Sequence, residues 1–489
     1  MWRPPNARRH ALPETHWPDQ DTAAKSLLFT PLQMGRLSLA QRTWVPAMVP
    51  WRASDDGEVT DRLIEWYSRF ALGQPGAIVV EATGIRDIPS GPLLRIGHDR
   101  YIPGLRKLTD AVRKASKGKT KLFIQLIDFL RVSRRPKPSV FFERYLAIDE
   151  TIRHRLAEHF SDQKWLEADD ETCKAMLAAS GRDVHEAVLS KTALRSLDYG
   201  LRESVNDTHL PHILDLPARL PGLFAEASKR AATAGFDGIE LHYAHAYTMA
   251  SFLSRTNQRQ DGYGGSRETR LRLPLEVYHH CRAALPEQMT LGCRMLVDEI
   301  ISEGSDVADA QYYAQQFAAA GMDFISLSTG GKFDDATQPK IGEAVYPYTG
   351  QSGFECMPTV YADERGPFLR NISKMAALRQ YVRAHGHQTP IVVAGGIQTF
   401  EQAESILNSA QGDIIGSARQ SLADPDWFTK MQSGRGSEIR RCAMTNYCEA
   451  LDNRHKEVTC RLWDRIQLEE PNVKRSLDGR RRLTAPIDH

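Results

Sequence analysis

Between residues 43 and 416 the chain returns eight times to a short apolar run, and this recurrence limits its fold more than any other feature. The runs are TWVPAM (43–48), AIVVE (77–81), KLFIQL (121–126), DGIEL (237–241), LGCRML (291–296), DFISLS (323–328), PIVVA (390–394) and DIIG (413–416). Between them lie amphipathic stretches at 61–73, 104–117, 220–234, 267–284, 307–320, 372–385 and 400–410, several with Gly at a helix end. Strand-like runs alternating with helix-like ones indicate parallel strands joined by helical crossovers. Eight such units predict an α/β fold of the (β/α)8 barrel type, whose functional groups gather where the strands end.

The third unit breaks the rhythm. Residues 132–210 separate its strand from the next helix, far more than a strand-to-helix loop needs. This insertion opens with RVSRRPKPS and then reads as largely helical, so the pattern predicts a helical insertion on the barrel's mouth side. A lid, an oligomer contact and a plain surface elaboration all remain open, as does assembly into a homo-oligomer. Residues 1–27 read as a loose N-terminal arm, 28–430 as the barrel, and 431–489 as a short cysteine-containing C-terminal extension.

Composition narrows the partners. Lys and Arg number 63 against 61 acidic residues, a net charge of +2, which gives no electrostatic footprint for nucleic acid or an anionic membrane. No run of about 18 apolar residues or secretory signal is visible, so no membrane partner is expected. Seven cysteines are too few and too odd a number for a disulfide framework, which fits a reducing, cytoplasmic setting. A small-molecule substrate is the expected partner.

Several strand ends carry chemistry. Gly395 and Gly396 after run seven, with Arg419 after run eight, suit a phosphate at the position where such barrels commonly bind one. Arg294 lies inside an apolar run, where an unpaired guanidinium is costly, so it needs a ligand anion or a carboxylate such as Glu81 or Glu240. Gln125 offers both a donor and an acceptor at the end of run three. Run four leads into His242, His245 and Tyr247. A zinc site, satisfied core histidines and a proton-handling group are alternative readings of that triplet, although no third zinc ligand lies nearby in sequence.

The segment GFDGIELHYAHAYTMASFLSRTNQRQDGYGGSRETRLRLPLEV (235–277) resembles the signature of the Old Yellow Enzyme family, flavin-dependent oxidoreductases on a (β/α)8 barrel. LFTPLQMGRLSLAQRTWVPAM (28–48), GQPGAIVVEATGI (73–85), LFIQLIDFLR (122–131), GCRM (292–295), VVAGGI (392–397) and DIIGSARQSLADPDW (413–427) agree in order. The cysteine-bearing end resembles the larger branch that includes dienoyl-CoA reductase and trimethylamine dehydrogenase. The resemblance implies FMN, held by the backbone near Met48 and Ala82, by Gln125 at the pyrimidine edge and by Arg294 beside N1 and O2. Gly395, Gly396, Ala418 and Arg419 would take its phosphate. It further implies that His242 and His245 hydrogen-bond a substrate carbonyl while Tyr247 protonates the α-carbon.

The expected activity is therefore reduction of an electron-poor C=C bond at the expense of NAD(P)H, by an FMN-dependent enzyme. A flavin dehydrogenase or demethylase passing electrons to another carrier is one alternative, and a non-catalytic FMN-bound interaction protein is another. Two departures stand out. Val49 occupies a position that in the family often carries a Cys or Thr touching flavin O4, and the usual His-x-Gly-Arg appears as DFLR, with Asp128, Leu130 and Arg131. The branch's iron–sulfur cluster needs four cysteines, whereas this chain has Cys442, Cys448 and Cys460, with Thr445 near the fourth position. A metal-free remnant is expected there, zinc with His455 or a surviving cluster being the alternatives.

Overall fold

Eight parallel strands close into a barrel in the computed structural model, which describes residues 2–88 and 91–487. Met1 of the arm and Asp488 and His489 of the extension lie outside the described residues. The strands are β1 Thr43–Val45, β2 Ala77–Gly84, β3 Lys121–Ile127, β4 Gly238–Tyr243, β5 Thr290–Leu296, β6 Ile325–Ser328, β7 Ile391–Ala394 and β8 Ile414–Gly416. Each pairs with its neighbour in sequence, and β8 closes on β1 through Ile415 and Thr43. Most strand residues are buried because one face fills the barrel and the other lies under helices, which explains the continuous apolar runs.

The helices α1 Asp61–Leu72, α2 Ile102–Ala115, α3 Leu216–Ala234, α4 Arg267–Ala284, α5 Val307–Ala320, α6 Ile372–Ala384 and α7 Phe400–Asn408 surround the strands. Their starts follow local chemistry. Thr60 accepts from Leu63 N–H to cap α1, while Asp306 and Thr399 form capping boxes at α5 and α7. Among the described residues no helix is long and apolar enough to cross a membrane.

The bottom of the barrel is sealed. A hairpin of Leu32–Met34 and Leu37–Leu39 lies across it, and inside Trp44 packs 4.9 Å from Phe123 and 5.2 Å from Phe324, centroid to centroid. Gly238 and Gly292 make room for those rings, since a Cβ at either would come within 2.6 Å of a phenyl carbon. Access is therefore left to the opposite end, where the strands finish.

Four regions go beyond the regular alternation. The insertion carries helices Glu150–Phe160, Asp170–Ala179, Arg182–Val188 and Lys191–Tyr199 around its own apolar cluster of Phe142, Leu156, Trp165, Leu177 and Val188. Its two ends are tied together at a stem, where Ser133 N–H donates to Leu201 O at 2.8 Å and Glu203 N–H to Arg131 O at 3.0 Å. A second long connection, from Thr329 to Asn371, was not distinguished in the sequence because turns and short polar stretches give no period.

The arm expected to be loose is laid against the barrel. Arg8–Arg9 pairs antiparallel with Tyr361–Ala362, Asp19 caps a short helix Gln20–Lys25, and Ala23 is fully buried. The C-terminal extension is also hooked in place. Arg52, buried and stacked 4.5 Å above the Trp66 ring, donates to Val458 O and Leu483 O, and Arg69 grips Asp426 while donating to Ala485 O.

Candidate active site

A cavity of about 1190 Å³ opens at the strand ends, and all of Met48, Ala82, Gln125, His242, His245, Tyr247, Arg294, Gly395, Gly396, Ala418 and Arg419 line it. Strand register explains how residues so far apart in sequence meet. Gln125 of β3 sits beside Glu240 of β4 on one rung; His242 of β4, Arg294 of β5 and Ser326 of β6 form the next. A register shift between Val80 and Ala82 marks a bulge at Glu81, which offsets Ala82 at the mouth.

The first rung holds an oriented amide. Gln125 Nε2 donates to Glu240 Oε1 at 2.6 Å, so Oε1 of Gln125 remains as an acceptor for a ligand N–H. Burial pushes the Glu240 carboxyl up, against the pull of the nearby Arg294. Arg294 itself donates to Ser326 Oγ at 3.1 Å and forms no ion pair with either carboxylate weighed from the sequence. Glu81 is engaged by the Tyr67 hydroxyl at 3.2 Å, and burial pushes it up to about 8.

At the end of β4 the backbone makes an unusual turn. His245 and Ala246 both have left-handed conformations, φ +57° and +63°, in residues that carry a Cβ. This turn places His245 and Tyr247 beside His242. The His242 ring lies 5.5 Å from His245 and 5.4 Å from Tyr247, both edge-on. Ala244 N–H donates to His242 Nδ1 at 3.3 Å, which puts the proton of a neutral His242 on Nε2. His245 Nε2 is bonded to Ser328 Oγ at 2.8 Å.

Burial drives His242 down to about 3, with the positive Arg294 adding to the effect, and drives His245 well below its usual value for the same reasons. Both rings are therefore neutral across the physiological range and act as hydrogen-bonding groups rather than acids. Burial, then Asp452, raises the Tyr247 phenol, which keeps its proton.

Gly395 and Gly396 adopt φ +131° and +72°, and a Cβ on Gly396 would come 2.3 Å from Pro367 O. That tight turn is closed to other residues and leaves a backbone cradle. Ser417 turns its hydroxyl to Ile397 O rather than capping the helix that begins at Ala418, and Arg419 is held by Pro358 O and Asn446 Oδ1, each at 2.6 Å. An amide acceptor, a cation without an ion pair among the described residues and a glycine cradle together fit a planar imide-bearing ring with a terminal phosphate.

Sequence patterns missed several lining groups. Lys332, Phe333, Tyr346 and Tyr348 come from the long connection after β6; Trp51, Asp452 and His455 come from other segments. Trp51 Nε1 donates to Asp452 at 2.6 Å, and burial raises that carboxyl to about 7. His455 stacks on Trp51 at 4.0 Å and bonds to the Tyr346 hydroxyl. That placement gives the His455 ring partners other than the thiols. Asp128 is likewise occupied, by a two-point contact with Arg86 at 2.6 and 3.0 Å. Val49 lines the cavity as an apolar group.

Burial raises the Cys448 and Cys460 thiols to about 12, and the Cys442 sulfur meets Met444 Sδ at 3.9 Å. Thr445 is exposed. Three thiols and an outward threonine are one thiolate short of the usual four-cysteine set of a cluster. Among the described residues, no group of three or more His, Cys, Asp or Glu side chains is arranged to hold a metal.

The sequence model of the "NADH:flavin oxidoreductase / NADH oxidase family" matches residues 27–136 and 222–438, more than half of the chain. The chain belongs to this family. It is similar to an NADH oxidase from Thermoanaerobacter brockii, 27% identical over 437 residues, covering 88% of this chain and 53% of the relative. Among solved structures it resembles a 2-naphthoyl-CoA reductase complex, with TM-score 0.65, 18% identity and coverage of 91% and 58% of the two chains. It also resembles the old yellow enzyme homologue from Zymomonas mobilis, with TM-score 0.52, 21% identity and coverage of 82% and 91%. The chain spans about half the length of the first of these relatives, and both structural likenesses establish the barrel fold. The family segments leave out 137–221, the greater part of the insertion.

Proposed function

We propose that the protein is an FMN-dependent oxidoreductase that uses NAD(P)H to reduce the C=C bond of an electron-poor alkene. The observation that carries this reading is the set of two neutral histidines and a protonated tyrosine on one patch of cavity wall, next to Arg294. Met48, Ala82, Gln125 and Arg294 would hold the ring of the cofactor, and Gly395, Gly396, Ala418 and Arg419 its phosphate. Bound there and reduced by the nicotinamide, FMN supplies the hydride.

The chain's own groups do the rest. His242, through Nε2–H, and His245 hydrogen-bond the substrate carbonyl oxygen and stabilise the negative charge that grows on it, which makes the β-carbon electrophilic. Tyr247 gives its phenolic proton to the α-carbon and regains one from water. One hydride and one proton account for the saturated product. Arg294 would stabilise negative charge on a ring held beside it. Apolar walls and Tyr348, whose ring is 5.6 Å from His245, keep water from the polarised oxygen.

Under the same reading, Cys442, Cys448 and Cys460 carry no iron–sulfur cluster. Chromatography of the cofactor released from purified protein tests the identity of the flavin, and anaerobic mixing with NADH or NADPH followed by 2-cyclohexen-1-one tests both halves of the reaction. FMN, bleaching and reoxidation by the enone are expected. Recovery of FAD, or a reduced flavin that the enone leaves untouched, overturns the reading. Near-stoichiometric iron and sulfide after anaerobic purification overturns the cluster-free extension.

A further inference from the structure

Arg202, at the exit of the insertion's stem, is a cation drawn out of water with little to match it. Its residue exposure is 6%, and its Nε and Nη1 are buried without a hydrogen-bond partner among the described residues. The nearest carboxylate, Asp334, lies 3.8 Å from Nη2 and is largely open to solvent. Two other cations lining the cavity are matched by carboxylates. Lys332 is paired with Glu299 at 3.0 Å and Arg86 with Asp128. Arg195 is half-buried at the same rim, and its side chain makes no hydrogen bond or ion pair among the described residues. Burial lowers the Arg202 guanidinium to about 10, with Arg195 adding repulsion, so it stays charged at neutral pH.

Placement gives the unmatched charge a direction. The guanidinium carbon of Arg202 lies 4.9 Å above the Phe333 ring, and Phe333 in turn meets Tyr247 edge-on at 6.2 Å. Arg202 thus overlooks the histidine–tyrosine patch across a single aromatic ring. An unpaired buried guanidinium is unfavourable for folding alone, and both Arg195 and Arg202 lie outside the segments that the family shares.

We propose that Arg202, supported by Arg195, binds an anionic group of the substrate, a carboxylate or phosphate set apart from the alkene, so that this chain selects acidic electron-poor alkenes. The inference rests on the ene-reductase reading for the placement of the reacting end. The pyrophosphate of the nicotinamide offers the same chemistry, so the test separates the two.

The holoenzyme and its Arg202→Met variant are compared on 2-cyclohexen-1-one and on cyclohexenones bearing a carboxylate on tethers of one to four carbons. In the native protein at least one tether length is favoured over the neutral enone. In R202M the ratio of kcat/KM for the favoured acid to that for the neutral enone falls about 10- to 100-fold, the scale of a charge-assisted hydrogen bond. Reduction by NADH and NADPH changes by less than that ratio. The thermal midpoint stays or rises, because a buried unpaired charge has been removed.

An unchanged ratio, or no preference for any tether in the native protein, overturns the proposal. A loss confined to the nicotinamide step moves the anion to the nucleotide and overturns it as well. If R202M fails to fold, Arg195→Met and Arg202→Lys take its place, each lowering the ratio by a smaller factor. If the native protein turns over no enone, the same ratio is read from dissociation constants, using perturbation of flavin absorbance. The anion site is then judged independently of the reaction.

Discussion

Arg294 on the cavity floor and Arg202 on its rim are both guanidinium groups drawn into the protein, yet they come from different kinds of chain. Arg294 stands on β5 with His242 and Ser326 as its cross-strand neighbours, in a frame fixed by closure of eight strands. Arg202 stands on a two-ended stem whose insertion has an apolar core of its own. The floor belongs to segments shared with the family and the rim to a segment those matches leave out. By the proposed reading, the shared frame holds the reacting groups and the added one holds the group that chooses among substrates. A barrel allows this division because its strands set the floor while connecting loops vary at the mouth.

The largest effects should come from the floor and be indifferent to substrate charge. Tyr247→Phe should slow enone reduction by about 10²–10⁴, the usual contribution of a positioned proton donor, while phenolic ligands bind nearly as before. His242→Ala and His245→Ala should each cost about 10²–10³ in the same step, with reduction by NAD(P)H less affected. Stopped-flow measurement of the two halves checks both expectations. Equal losses for neutral and acidic enones fit the floor assignment; a loss confined to acidic ones would break the comparison.

A smaller effect should isolate the rim. Trp165 is 4% exposed in the insertion's own cluster, and Trp165→Ala should destabilise that cluster by about 3–5 kcal/mol. Hydrogen exchange should rise over 141–199, and the preference for acidic enones should fall before flavin content or neutral turnover does. If flavin is lost together with the preference, the two regions form one cooperative unit and the division fails.

The smallest effect concerns Asp452, which burial raises to about 7. Below that pH the carboxyl is neutral; above it the cavity gains a negative charge, so the affinity for acidic ligands should fall a few-fold as pH rises through 7. The sign for stability is the same. The folded state holds this proton more tightly than the unfolded chain, so Asp452's contribution is greatest near pH 4 and is lost as pH rises towards 7. Asp452→Asn should flatten both profiles, as absorbance titrations and thermal midpoints between pH 5 and 8 will show. His242, driven down to about 3, should contribute no break to ligand binding across that range.

The barrel was legible because strands buried on both faces are written as continuous apolar runs, and helices as 3.6-residue periods, each readable within a dozen residues. Arg294, Gln125 and the two histidines were legible for a related reason: a polar group inside or just after such a run is an exception that needs a partner. The glycine pair could be read as a tight turn, but the Pro367 carbonyl that makes Gly396 irreplaceable was not in view. Local pattern also failed at the start of the chain. The arm looked loose because its contacts, such as Arg9 with Tyr361, are made with residues far away in sequence.

The sequence by itself determined the strand count, the order of the units and the groups at the strand ends, since neighbours along the chain impose those patterns. Which groups from distant segments surround the site was decided by the tertiary structure alone. Tyr346, Asp452 and Arg202 carry no period and break no apolar run, and each acquires its environment when long connections fold over the mouth. His455 shows the same limit from the other side. The sequence puts it five residues from Cys460, whereas folding stacks it on Trp51 and bonds it to Tyr346. Burial and partners are set by closure across many residues, and so the charge of a buried side chain, unlike its helix or strand, has no local signature.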